Sequence, residues 1–484
     1  MSNKLEKKYG LLTAICMVVG IVVGSGVFFK AQTILDKTGG DMPLGILAWI
    51  IGGVIMIFCI LAFSVMAQKY EKVNGIVDYA EAACGEKYAY IIGWFMSTVY
   101  YPTLTSVLAW LSARYLLTFV CSVNPEFAMH IAASEGGCVY GPECLALTCL
   151  FLVAAYALNA LSPKLAGKFQ ISTTFIKLVP LLLMAVVGTI YSFTHNIAGA
   201  ENSILIENFK TASGNTSVLF GAVVATAFAY EGWIIATSIN AELKNSKRNL
   251  PIALVAGGIV IIAIYVFYYI GVAGGADVKT LIDSGATVAF TKVFGNVFGN
   301  ILNLFVAVSC MGTLNGLMLG NTRGLYSVAT RGYGPSPKVF GEVSDNTNMP
   351  TNSSVFGLLL CGIWLVYFFG ANLVPKAWFG VFSFDSSELP IITIYALYIP
   401  IFIMFMVKAK DVGAFKRFVL PILAIIGSVF MVVAAIYAHG IAPYQAAKAE
   451  GTFSCPVLFY LIVFAVVMLI GILFAKKKTA KNKR

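Results

Sequence analysis

Phe228-Ala229-Tyr230-Glu231-Gly232-Trp233-Ile234-Ile235 puts a carboxylate and a glycine in the middle of an apolar stretch long enough to cross a bilayer. An ionisable side chain near a bilayer centre costs about 2.5–3.5 kcal/mol on insertion scales, so it persists beside a partner, a cavity or a ligand. Val23-Gly24-Ser25-Gly26 interrupts the first apolar stretch in the same manner. Together the two stretches read as a pair of broken helices around one binding site. Gly20, Gly24 and Gly26 also admit a plainer reading, because glycine lets membrane helices pack closely.

The rest of the chain fits that setting. It is 59% apolar and 11% charged over 484 residues, the composition of an all-α polytopic membrane protein. Hydropathy segments it into about twelve spans. They run near 11–36, 43–68, 91–121, 142–162, 169–193, 217–239, 251–275, 295–330, 352–370, 376–408, 417–438 and 455–475. The net charge of +11 does not form one basic face, which argues against nucleic acid as a partner. With the N-terminus inside, about two dozen Lys and Arg fall on the inner side and about six outside. That bias predicts an even number of spans with both termini cytoplasmic. Lys4 to Lys8 lead directly into a long first span, so no cleavable leader is expected.

Residues 1–484 read as one membrane domain. If spans one to five (11–193) and six to ten (217–408) are units of odd helix number, the second enters the membrane inverted relative to the first. The two broken helices then stand first in each repeat. Spans eleven and twelve (417–475) and the basic tail (476–484) lie outside the symmetry. Residues 75–90, with Asp78, Glu81, Glu86 and Lys87 among apolar neighbours, suit a short helix on the inner membrane surface. Gly332 to Lys338, rich in glycine and proline, should end the eighth helix.

Several residues carry the expected chemistry. An unwound Gly24-Ser25-Gly26 turn would offer backbone N–H groups and a half-helix dipole to a carboxylate. Carbonyls released at Gly232 would accept from an ammonium group, with Glu231 assisting or turned to another cation, and Phe228 would cover the ligand. Lys177 lies about 12 Å into the fifth span by helical rise. It reads either as a snorkelling lysine or as a fixed cation bracing the first and eighth helices. Asp385 and Glu388, three residues apart, have two readings. If the tenth span starts near Lys376 they are buried on one helix face, and if it starts near Leu389 they are its solvated outer end. Arg114, Thr313 and Asn315 are weaker, more structural candidates. Of the ten cysteines, Cys138 and Cys144 either pair in an outer loop or remain free thiols. No cofactor and no metal are expected. Three scattered histidines, His130, His195 and His439, offer no enzyme-like cluster.

Val22-Val23-Gly24-Ser25-Gly26-Val27-Phe28 resembles the first-helix signature of the L-type amino acid transporter-like branch of the amino acid-polyamine-organocation superfamily. Phe228 to Trp233, followed by Glu242-Leu243-Lys244-Asn245 to Pro251, resembles its sixth-helix signature, as in bacterial serine/threonine exchanger-like permeases. Tyr101-Pro102-Thr103, Lys177, and Leu314-Asn315-Gly316 leading to Ala329-Thr330-Arg331 are similar as well. The resemblance implies a five-plus-five inverted repeat with broken helices 1 and 6 and two further helices. It implies sodium-independent amino acid transport, usually as exchange. By position, Val23, Gly24, Ser25 and Gly26 would take the substrate carboxylate. Phe228, Ala229, Tyr230, Glu231 and Gly232 would take the amino group at the second break, with Phe228 as outer gate. Lys177 would replace sodium, and Asn315 and Ser387 would approach the side-chain pocket. An acid at 231 and the small Ser387 leave room for a proton-coupled or cationic substrate, with Asp385 and Glu388 adding charge. Animal relatives pair with a single-span glycoprotein through an outer-loop cysteine; no such obligate partner is expected here.

Overall fold

Backbone groups find no water inside a bilayer, so each apolar run has to close its own hydrogen bonds, and helices do so. The computed structural model describes residues 10–70, 75–197, 199, 201–210, 216–236 and 243–475. Lys4 to Lys8, Glu242 and the basic tail lie outside the described residues. The described chain is almost wholly helical and includes an isolated Asn196–Ser203 bridge.

The first span is split into α1 (Leu11–Val22) and α2 (Gly26–Lys37). There follow α3 (Met42–Lys69), α4 (Glu86–Val123), α5 (Pro142–Leu161) and α6 (Pro163–Thr194). The sixth span is split into α7 (Val218–Tyr230) and α8 (Trp233–Ala236). The remaining spans are α9 (Ser246–Ala273), α10 (Asn296–Thr322), α11 (Thr351–Leu373), α12 (Leu389–Lys408), α13 (Phe415–Ala449) and α14 (Pro456–Leu473). Ten helices among the described residues are long and apolar enough to cross a membrane. The two interrupted spans complete the twelve read from hydropathy.

Two boundaries differ from expectation. The helix expected to lie on the inner surface is only Ile76–Cys84, because Gly85 at φ 95° ends it and Glu86 already begins α4. Its Asp78 is buried, so this helix packs into the protein and does not float on the surface. The tenth span begins at Leu389 and not near Lys376, since residues 383–388 form a turn built around Asp385.

Among the described residues four membrane helices contain widened π turns, five in all: Met96–Tyr100 in α4, Met184–Gly188 in α6, Phe369–Leu373 in α11, and Phe415–Val419 and Tyr437–Ile441 in α13. Four of these end two residues before a proline, namely Pro102, Pro375, Pro421 and Pro443. Proline has no N–H to give and its ring crowds the preceding turn. The residue before it reaches back five positions instead: Tyr101 N–H to the Met96 carbonyl, and Leu420 N–H to that of Phe415. At Pro102, Pro421 and Pro443 the helix thereby passes a proline without breaking, whereas α11 ends at Leu373, before Pro375.

Contacts divide the chain into two compact units, each drawing on both halves of the sequence. One comprises Met1–Cys84, Lys177–Phe305 and Ile391–Ala438. Its interior is aromatic: Trp49 of α3 meets Tyr230 and Tyr265 edge-on at 5.7 and 5.4 Å, and Phe63 packs on Trp233, Tyr398 and Phe402. The other comprises Gly85–Ile176, Val306–Pro390 and His439–Arg484. There α14 is tied to α4 by Tyr90 Oη donating to the Gly471 carbonyl (2.6 Å) and Trp94 Nε1 to that of Val467 (2.9 Å). Ser106 Oγ, donating to the Cys361 carbonyl at 2.7 Å, joins α4 to α11.

Candidate functional site

Both helix breaks belong to the first unit. At the first, Val23 leaves the helix with ψ 110°, while its N–H still donates to the Val19 carbonyl. Ser25, fully buried, restarts the helix by accepting from the Phe28 and Phe29 amides at 3.2 and 3.3 Å. At the second, Glu231 turns extended at ψ 158° and Gly232 adopts φ 99°, a conformation natural only to glycine. The two breaks touch. A Cβ on Gly26 would lie 2.7 Å from Ala229 Cα and 2.9 Å from the Phe228 carbonyl oxygen, so only a glycine allows this approach.

The orphaned carbonyls at the end of α1 are served one by one. The ammonium of Lys177, buried on α6, donates to the Gly20 carbonyl at 2.7 Å. A cation at that end also opposes the negative pole of the half-helix. Lys177 therefore does not snorkel to the surface. Tyr265 of α9, fully buried, places its hydroxyl 3.3 Å from the Val22 carbonyl and 3.1 Å from that of Ala229. One phenol thus links the first break to the second. Sequence reading missed it, because a tyrosine in an apolar run carries no signal until its partners 243 and 36 positions away are known.

The flanking side chains divide by direction. Phe228 is buried and packs edge-on to Phe29 at 6.2 Å. The buried Lys30 lies 5.0 Å from the Phe29 ring centre and 5.3 Å from that of Phe228, a cation not singled out in the sequence. Tyr230 turns away: its hydroxyl donates to the Trp49 carbonyl at 2.8 Å, so the break meets only its backbone. Glu231 is half-buried.

The other expected site residues lie in the second unit. Both ends of the buried Asn315 amide are taken. Its Nδ2 donates to Gln170 Oε1 (2.9 Å) and to the Ala166 carbonyl (3.2 Å), while Oδ1 accepts from Asn159 Nδ2 (2.9 Å). That is a structural network between α5, α6 and α10, in keeping with the more structural reading of Asn315. Asp385 Oδ1 accepts from the Ser387 amide (2.7 Å), the Ser387 hydroxyl (2.6 Å) and the Glu388 amide (3.1 Å), and so starts α12. The Ser387 hydroxyl is consumed by this cap. Glu388 follows neither expected alternative: it precedes the helix yet is fully buried, with Oε2 3.1 Å from His439 Nε2 in the π turn of α13. Arg114 lies against the Trp110 ring at 5.5 Å. Thr313 Oγ1 donates to the Ser309 carbonyl. Among the described residues no group of histidine, cysteine, aspartate or glutamate could hold a metal ion.

A sequence model described as amino acid permease matches residues 9–467. The serine/threonine exchanger SteT of Bacillus subtilis is similar at 27% identity over 439 residues, 89% of this chain and 91% of that protein. The human b(0,+)-type amino acid transporter 1 is similar at 26% over 438 residues, covering 90% of this chain and 84% of its own. The human cystine/glutamate transporter is similar at 25% over 355 residues, covering 72% and 66%.

Proposed function

The chain belongs to the amino acid permease family of the amino acid-polyamine-organocation superfamily, which makes it a multi-pass amino acid transporter and not an enzyme, and from that premise we propose a sodium-independent exchanger working by alternating access. Its fold is accordingly the family's five-plus-five inverted repeat, with the interrupted first and sixth spans at the heads of the repeats. The repeats are assigned to 11–193 and 217–408, with both termini cytoplasmic in a bacterial cell membrane.

The observation that carries the site is the contact of the two breaks at Gly26 and Ala229. The substrate carboxylate is assigned to the backbone N–H groups of Gly24, Ser25 and Gly26, at the positive pole of α2. The amino group is assigned to backbone carbonyls between Phe228 and Glu231, under the Phe228 ring. Lys177 supports a cycle without sodium, because its ammonium already holds the carbonyl end of α1. No single-span glycoprotein partner is part of the proposal.

A second reading, proton-coupled symport, is favoured by one observation: the buried Glu388 carboxylate against His439, with Glu231 half-buried at the break. The deciding experiment is uptake of a labelled amino acid panel into proteoliposomes in sodium-free buffer, with and without internal amino acid, at two pH values. Uptake that requires internal substrate supports exchange and names the substrate class. Uptake into empty vesicles driven by an inward proton gradient overturns exchange in favour of symport.

A further inference from the structure

Cysteines at the outer end of α4 sit in an arrangement unlike the one their spacing suggests. Cys138 does not face Cys144. Its Sγ lies 3.7 Å from that of Cys121, near the end of α4, and both thiols are half-buried. Cys144 is fully buried, with its thiol turned to the Val139 carbonyl at 3.5 Å. The segment carrying Cys138 is also held in place. The short helix Gly137–Tyr140 is entered through Gly136 at φ 87° and Gly137 at φ 48°. Trp110 Nε1 of α4 donates to the carbonyl of Val139, next to Cys138, at 2.6 Å. The His130–Glu143 contact at 2.9 Å ties the helix Pro125–Ala133 to the start of α5. Two sulfur atoms so placed need only side-chain rotation and a small backbone shift to reach bonding distance.

We propose that Cys121 and Cys138 are a redox pair that closes to an intrachain disulfide when an external disulfide, of a small thiol or of a protein oxidant, reaches the outer face. One cysteine thiolate attacks the oxidant's disulfide, forming a mixed disulfide and releasing one thiol. The second cysteine then displaces the other half. The pair loses two electrons and its two thiol hydrogens, which leave on two molecules of reduced thiol. The bond closes the loop 121–138 over the end of α4. This holds independently of the transport reading, since it rests on neither helix break.

The test uses the full-length protein in detergent, incubated with oxidised glutathione at pH 8 and then blocked with a maleimide. Trypsin cuts on either side of the region at Arg114 and Lys164, leaving Cys121, Cys138, Cys144 and Cys149 in one fragment. A second digestion after Glu126, Glu135 and Glu143 places Cys121 and Cys138 on separate peptides, with Cys144 and Cys149 together on a third. The expected result is a cross-link between the peptides 115–126 and 136–143, abolished by reductant. Cys144→Ser leaves it intact, and Cys121→Ser or Cys138→Ser removes it. Reduction lowers the apparent unfolding temperature of the wild type and leaves that of Cys121→Ser unchanged. The proposal is overturned if Cys121 and Cys138 stay free after oxidation, if Cys138 is joined to the peptide 144–164, or if the products are glutathione adducts. Peptide mapping of the wild type alone decides it should a variant fail to fold.

Discussion

Replacing Tyr265 by phenylalanine removes one oxygen atom and nothing else from the centre of the first unit. The ring keeps its packing, 5.4 Å from Trp49 and 5.1 Å from Tyr230 between ring centres, so no cavity of consequence opens. The loss is the bond to the Ala229 and Val22 carbonyls, at 3.1 and 3.3 Å, which share a single hydroxyl hydrogen. One net hydrogen bond contributes about 0.5–1.5 kcal/mol, and stranding a buried acceptor costs about 1–3 kcal/mol. A central value of about 2 kcal/mol corresponds to about 30-fold in an equilibrium constant. Because both carbonyls belong to helix breaks, the cost falls on the geometry of the proposed site. The expectation is an apparent KM for exchange raised about 30-fold, with a lower melting temperature and unchanged membrane insertion. Counterflow into proteoliposomes over a substrate series measures the first, and a thiol-reactive dye melt the second. A Tyr265→Phe protein with KM within threefold of wild type and the same melting temperature would refute the idea that this phenol joins the breaks.

Lys177→Met removes the ammonium bonded to the Gly20 carbonyl at 2.7 Å; a bond to a charged group contributes about 1.5–3 kcal/mol, so exchange should fall about 10- to 150-fold, measured as initial rates in sodium-free buffer. Gly26→Ala forces a methyl within 2.7 Å of Ala229 Cα and should cost about 1–3 kcal/mol with loss of transport. Gly167→Ala, with nothing within 4 Å, should stay within about 0.5 kcal/mol, and paired melts with uptake compare them. Asp277 caps the helix Val278–Ser284 by accepting from the Thr280 hydroxyl and amide, and these bonds hold its carboxyl below the usual range. Asp277→Ala should cost about 1 kcal/mol. A depressed carboxyl stabilises fully above its unfolded pKa near 3.9 and loses that contribution as pH falls through the folded value. The melting difference between wild type and Asp277→Ala should therefore be constant near neutrality and vanish toward the acid end.

Hydropathy located the spans because a bilayer imposes the same requirement on every backbone group that crosses it. The two breaks were legible for a related reason: Glu231, and glycine on either side of Ser25, are expensive or weak in a membrane helix unless something local uses them. What escaped depends on pairing across long sequence distances. Glu388 looked solvated once α12 was allowed to start at Leu389, since nothing near it announces His439, 51 positions on. Tyr265 and Lys30 were silent for the same reason. Asn315 could be read as a structural candidate, but its partners Gln170 and Asn159, 145 and 156 positions away, could not. The π turns could have been anticipated, since four of them stop two residues before a proline.

The two ends of the first break are treated differently, and the difference bears on how the site works. A helix interrupted inside a membrane exposes carbonyls at the end of its first half and N–H groups at the start of its second. At the carbonyl end the protein supplies its own donors: Val23 N–H to Val19, Lys177 to Gly20, and Tyr265 to Val22. The donors come from α6 and α9 as well as from the break itself, so this end is fixed by side chains that do not leave with a substrate. At the N–H end, Ser25 contributes no side-chain cap, and the positive pole of α2 faces Phe228 and Ala229 across the Gly26 contact. An anion placed there completes the backbone bonding of α2 and meets the favourable pole of its dipole. A cation placed at the opposite end would compete with an ammonium already seated. In the proposed exchanger, the same asymmetry would dispense with a bound metal ion and favour a ligand carrying a carboxylate, whatever side chain that ligand brings.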